Sequence, residues 1–176
     1  MPGEIHRQDS TARPCLVSSQ SPCEHTAMTA RSLQSAERLC KEKGLTFTPL
    51  RRQVYGLISA DSTPVGAYEL LDRLKKQRAN AAPVTVYRAL DFLQAAGLVH
   101  RIDALHAYAA CEVESADHGG LHSGLMLVCN RCKTVTEFEH PGLEQQIAET
   151  ALQHEFHASE DLIEIRGLCS VCADGS

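Results

Sequence analysis

From residue 33 to residue 97 the apolar positions recur at helical spacing, in four short segments with recognisable ends. Leu33, Ala36, Leu39 and Cys40 form one stripe, and Gly44 stands where a left-handed helix end is wanted. Thr48-Pro49 reads as an N-cap followed by a first-turn proline, with Leu50, Val54, Leu57 and Ile58 forming the apolar face behind it. A third helix is predicted from about Gly66 through Ala67, Leu70, Leu71 and Leu74, ending near Lys75-Lys76. A fourth begins at Pro83, carries Val86, Ala89, Leu90 and Leu93 inward, and stops at Gly97. The pattern then shortens to two β-rich strings, LVHRI (98–102) and AYAAC (107–111), joined by DALH. Short helices followed by a two-stranded hairpin follow the plan of a winged helix-turn-helix. Further on, a strand from Val135 to Phe138, a helix carrying Leu143, Ile147, Ala151 and Leu152, and the alternating string LIEIR make the class α+β.

The first 30 residues have no such periodicity and many Ser, Thr and Pro, and read as a disordered arm. The predicted organisation is an arm over 1–30, a winged-helix domain over 31–103, a hinge over 104–111 and a second domain over 112–176. No apolar stretch approaches the ~20 residues that a membrane span needs. The opening MPGEIHRQDS lacks the basic and apolar blocks of a secretory signal. A cytoplasmic protein without a membrane partner is expected, with its thiols reduced.

Charge changes the picture once it is divided. The chain of 176 residues carries 22 acids and 17 bases, a net charge of −5, which argues against nucleic acid. Residues 31–103, however, hold 12 Lys/Arg and 7 Asp/Glu, whereas residues 104–176 hold 3 and 12. A module of net charge +5 is thus joined to one of −9, and a basic module can meet phosphate inside an acidic protein. On the winged-helix plan the helix from Pro83 is the recognition helix. Thr85, Tyr87 and Arg88 lie near its start, off the apolar stripe. Arg88 offers a bidentate fork for a guanine edge or a phosphate, and Tyr87 a ring and a hydroxyl. Arg51 and Tyr68, near the starts of two earlier helices, are suited to holding the backbone. Taken singly, each is as readily a packing residue or a solvated charge; it is their grouping that points to DNA.

The eight cysteines and nine histidines point to metal. Cys129-Asn-Arg-Cys132 and Cys169-Ser-Val-Cys172 are two Cys-x2-Cys knuckles separated by 36 residues. Each knuckle turns two thiolates toward one ion, and two knuckles complete a tetrahedral sulfur cage that closes a structural zinc site. Two matched pairs do not suit a thioredoxin-type redox site, which needs one pair after a strand. A second group comprises His100, Cys111, His118, His122, Glu137 and Glu139. Two imidazoles, a thiolate and a carboxylate drawn from it would suit zinc at the seam between the basic and acidic modules. Metal binding that differs between two arrangements of those modules is what a switch requires. His106, His140, His154 and His157 read as ordinary surface or hydrogen-bonded imidazoles, and Cys40 as core. Cys15, Cys23 and His25 lie in the arm.

The strings TPLRRQVY, AYELL, TVYRALDFL, GLVH, the Cys129/Cys132 knuckle and GLCSVC resemble, in order, the ferric uptake regulator family of bacterial metal-sensing repressors. TVYRALDFL followed by GLVHRI is most similar to its zinc-uptake branch. The resemblance spans residues 33 to 172 and implies a homodimer, in which residues 112–176 form an α/β dimerisation domain. It implies two zinc ions per subunit. The structural one is held by Cys129, Cys132, Cys169 and Cys172, and the regulatory one by His100, Cys111, His122 and Glu137. It implies DNA contacts at Tyr68, Tyr87 and Arg88, with Arg51 on the backbone. Many relatives carry a His shortly before the final GLC motif, where this chain has Glu160, which puts a third metal site in doubt.

The expected function is zinc-dependent repression of zinc uptake genes at a palindromic double-stranded operator, with no small-molecule substrate and no enzymatic activity. Iron- or peroxide-sensing relatives are the nearest alternative, and the Cys111 thiolate argues for zinc over Fe(II). A zinc hydrolase needs an open coordination position, which a four-ligand set does not leave. A zinc-ribbon interaction module without DNA binding is disfavoured by the basic half.

Overall fold

The computed structural model describes residues 33–111, 124–138, 140–157 and 162–174. The helices are α1 (Leu33–Glu42), α2 (Pro49–Ser59), α3 (Ala67–Lys75) and α4 (Pro83–Ala95), with strand β1 (Val65–Gly66) entering between α2 and α3. Their ends follow from local chemistry. At α2 the Thr48 side chain accepts from the Arg51 N–H, and Pro49 opens the first turn, where no amide partner is needed. After α1, Gly44 has φ of +65°, and the Leu45 N–H donates to the Cys40 carbonyl at 2.7 Å. Gly97 has φ of +71° and serves α4 alike, the Leu98 N–H donating to the Leu93 carbonyl at 2.9 Å. Val54, Ile58, Leu70, Leu74, Leu90 and Leu93 are fully buried and lock the helices together.

The chain next forms β2 (Val99–Ile102), a 3-10 turn (Asp103–Leu105) and β3 (Ala107–Ala110). His106 closes the turn in the left-handed region at φ 49°. The three strands make an antiparallel sheet in the order β1-β3-β2, with His100 opposite Ala109. Within the segment 104–111, residues 107–110 form the strand that the AYAAC string predicts. They are the middle strand of this sheet, paired with β2 along their length and with β1 at Ala107 and Tyr108, and all four side chains are buried.

A second sheet has the order β5-β4-β6, from β4 (Gly124–Cys129), β5 (Val135–Phe138) and β6 (Leu162–Gly167). β4 runs antiparallel to β5 and parallel to β6. α5 (Pro141–Gln153) connects β5 toward β6, and the five-residue α6 (Ser170–Asp174) follows. Met126, Val128 and Val135 pack with Ile102 and Ala109 of the winged-helix sheet, so one apolar cluster joins the two halves. The arm over 1–30, with Cys15, Cys23 and His25, lies outside the described residues. So do His118, His122, Glu139 and Glu160. No described helix is long and apolar enough to cross a membrane.

Candidate metal centres and nucleic-acid face

The four knuckle cysteines come together. Cys129 ends β4, and the chain turns back through Lys133, whose φ of 62° permits the tight return. The Cys129 N–H donates to the Thr134 carbonyl at 3.0 Å, and the Lys133 N–H to the Cys129 carbonyl at 3.0 Å. The Asn130 N–H donates to the Gly167 carbonyl at 2.8 Å, which brings the end of β6, and hence Cys169, beside the first knuckle. One sulfur from each cysteine lies within 4.8 Å of the others. Cys132 Sγ and Cys169 Sγ are 3.8 Å apart, far beyond a disulfide bond. A tetrahedral ion with Zn–S of ~2.3 Å would set its sulfurs about 3.8 Å apart.

The thiols also differ electrostatically. The Cys169 N–H aimed at its sulfur holds the Cys129 pKa down to about 5, and the Thr134 hydroxyl lowers that of Cys132. Cys172 is pushed up to about 12, first by the neighbouring Cys169 thiol and then by burial. Four thiols this close cannot all ionise unaided, and a divalent cation among them removes the conflict. The Arg131 guanidinium donates to the Cys172 carbonyl at 2.6 Å and clamps α6 onto the first knuckle.

The second cluster lies at the seam. His100 on β2, Cys111 just after β3 and Glu137 on β5 place one ligand atom each within 4.8 Å of the others. The Cys111 N–H donates to the Leu98 carbonyl at 2.9 Å, so the hairpin backbone fixes Cys111 near His100. His100 Nε2 is 3.0 Å from Glu137 Oε1, and both side chains are almost completely buried. Burial alone would lower the His100 pKa; the Cys111 and Glu137 side chains beside it outweigh burial and raise the value to about 9. An imidazole, a thiolate and a carboxylate within bonding reach of one point fit zinc chemically. His122, the fourth expected ligand, lies outside the described residues.

The residues expected at DNA separate into two groups. Tyr68 is 73% exposed and Tyr87 41% exposed, Arg88 is exposed and Thr85 half-buried, at the starts of α3 and α4. Arg51 differs. Its guanidinium lies 3.5 Å from the centroid of the Phe92 ring and donates to the Thr46 carbonyl at 2.5 Å. Arg51 thus ties the start of α2 to α4, a contact that helical periodicity does not reveal. Also missed were Arg131 and Glu164. Glu164 accepts from the Asp103 and Ala104 amides, a long-range pairing that a period-2 string cannot announce. His140, expected as a surface or hydrogen-bonded imidazole, caps α5 by accepting from the Leu143 N–H at 3.0 Å.

Comparison with known proteins gives a consistent picture. The sequence pattern of the Ferric uptake regulator family matches residues 42–166. The Zinc uptake regulation protein of Escherichia coli (strain K12) is 34% identical over 146 residues, which is 83% of this chain and 84% of that protein. That of Mycobacterium tuberculosis (strain ATCC 25618 / H37Rv) is 32% identical over 131 residues, 73% of this chain and 95% of that protein. Among solved structures, a zinc uptake regulator complexed with zinc and DNA superposes with a TM-score of 0.74 at 34% identity, covering 81% of this chain and 93% of that one. The holo form of XcZur gives a TM-score of 0.72 at 39% identity, covering 81% and 96%. With a winged helix, a following α/β unit and this pattern over most of its length, the chain belongs to the ferric uptake regulator family.

Proposed function

We propose that this protein is a zinc-responsive transcriptional repressor, which binds a palindromic operator as a homodimer when zinc-loaded and silences zinc uptake genes. The observation that carries this reading is the cluster of His100, Cys111 and Glu137, whose members come from both sides of the seam between the winged helix and the second sheet. Its thiolate favours zinc over the nitrogen and oxygen donor sets suited to Fe(II). Similarity to the zinc uptake regulator complexed with zinc and DNA, and to the Zinc uptake regulation protein of Escherichia coli, supports the same choice.

Two zinc ions per subunit are proposed. Cys129, Cys132, Cys169 and Cys172 would hold a structural ion in a closed sulfur cage. His100, Cys111 and Glu137, with His122 as the fourth ligand, would hold the regulatory ion. When bound, that ion would supply a divalent charge between the His100 imidazole and the Glu137 carboxylate. His100 and Cys111 would hold it from the wing side and Glu137 from the sheet side, so that occupancy would set the orientation of the recognition helix. Tyr68, Thr85, Tyr87 and Arg88 would face the duplex, Arg88 supplying the charged fork. Arg51 would contribute by orienting α2 against α4.

Homodimer formation is supported by apolar side chains left at the surface of the second half: Leu127 on β4, Ile165 on β6, Phe156 and Leu168 are 44%, 46%, 63% and 50% exposed. The reading is tested by titrating zinc into protein carrying only its structural ion and measuring operator binding. Sedimentation of the same sample gives its subunit number.

A further inference from the structure

The seam is joined by a second carboxylate besides Glu137. Glu164 on β6 accepts from two consecutive backbone amides of the 3-10 turn that follows β2. The Asp103 N–H donates to Oε1 at 2.5 Å and the Ala104 N–H to Oε2 at 2.9 Å. Ile102, which precedes the turn, has no side-chain acceptor to offer those amides, so Glu164 satisfies them from 60 residues away. Both oxygens are used, which fixes the carboxylate in rotation as well as position.

The register relates this tether to the proposed regulatory centre. Met126 on β4 pairs with Glu137 on one side and with Glu164 on the other, so the three side chains form one row on one face of the sheet. Met126, fully buried, lies in the apolar cluster with Ile102 and Ala109 of the wing. One end of the row meets His100 on β2, and the other meets the turn three and four residues later. A contact at one end alone would leave the wing free to swivel about it. Contacts at both ends define one orientation.

We propose that Glu164 is a positioning residue for zinc regulation: a metal-independent latch that fixes the wing against the second sheet and converts occupancy of the His100–Cys111–Glu137 centre into a defined recognition-helix orientation. This rests on the proposed zinc-dependent DNA binding. Without the latch, the centre still gathers its ligands, but the wing samples several orientations about it. Zinc binding is then largely kept while its effect on DNA is reduced.

The test uses the full chain with Glu164→Ala, Glu164→Asp and Glu164→Gln. In zinc-loaded protein, amide hydrogen exchange at Asp103 and Ala104 is expected to accelerate about fivefold or more at both positions in E164A. E164D keeps the charge but shortens the reach, and is expected to behave like E164A. E164Q retains one acceptor oxygen and is expected to keep one of the two amides protected. In operator binding, the stimulation by zinc is expected to fall about fivefold in E164A and E164D and to recover partly in E164Q, with zinc content unchanged. Undiminished protection of both amides in E164A overturns the latch. So does a lost tether with zinc stimulation equal to wild type. Wild-type operator binding that ignores zinc would instead sink the regulatory reading itself, and the exchange rates would still report whether the tether exists.

Discussion

His100 Nε2, on the second strand of the winged-helix sheet, lies 3.0 Å from Glu137 Oε1, on the edge strand of the other sheet. This contact across the seam ties the proposed sensing chemistry to the geometry of the DNA-binding half.

The pair makes zinc binding sensitive to pH. With the His100 pKa raised to about 9, the metal-free centre carries a proton at neutral pH that zinc must displace. Apparent zinc affinity at this site is expected to rise with pH between 6 and 8, by up to about tenfold per unit for each proton released. The metal-free fold should behave oppositely. A folded pKa above the unfolded value of ~6.5 stabilises the protein below that value, and the contribution is lost as pH rises through about 9. Glu137→Gln should flatten both profiles, and chelator competition with denaturant unfolding across pH measures them.

The two cysteine groups should fail differently. Cys111→Ser is expected to remove the regulatory ion and leave one zinc per subunit, with the subunit number unchanged. Cys169→Ser breaks the sulfur cage that pins α6 and the end of β6 to the first knuckle, and should cost folding or dimerisation. Metal content by mass spectrometry and sedimentation tell them apart. A monomeric Cys111→Ser product would mean that the two roles are exchanged.

Arg51→Ala should lower stability, by about 1–2 kcal/mol, since it loses both the Phe92 ring contact and the bond to the Thr46 carbonyl. Arg88→Ala should leave stability and zinc content alone while weakening operator binding and reducing its salt slope by about one charge. Thermal unfolding and salt-dependent gel shifts of the two variants separate support from contact.

Much of this was legible in residue order. Helix ends at Thr48-Pro49, Gly44 and Gly97 are written locally, as are the paired Cys-x2-Cys knuckles, because capping and ligation depend on short spacings. β4 was harder. Its GLMLVC string is an apolar run without alternation, since the strand sits between two neighbours and is largely covered. β1 is too short to leave a pattern; it exists because β3 offers it an edge. The AYAAC string is legible as a strand, but its central place in the sheet is not, because that depends on the two-residue β1 pairing with Ala107 and Tyr108. Glu164 and the contact of Arg51 with Phe92 escaped because such partners are set by packing between elements rather than by neighbours in sequence.

Filling the seam site is expected to change affinity for DNA. The direct measurement is operator binding by protein holding only its structural zinc, across buffered free zinc, with iron and manganese as controls. Zinc is expected to strengthen binding by about 5- to 150-fold as the second ion per subunit loads, and Cys111→Ser to abolish the response. Operator affinity that stays constant as that second ion binds would contradict it.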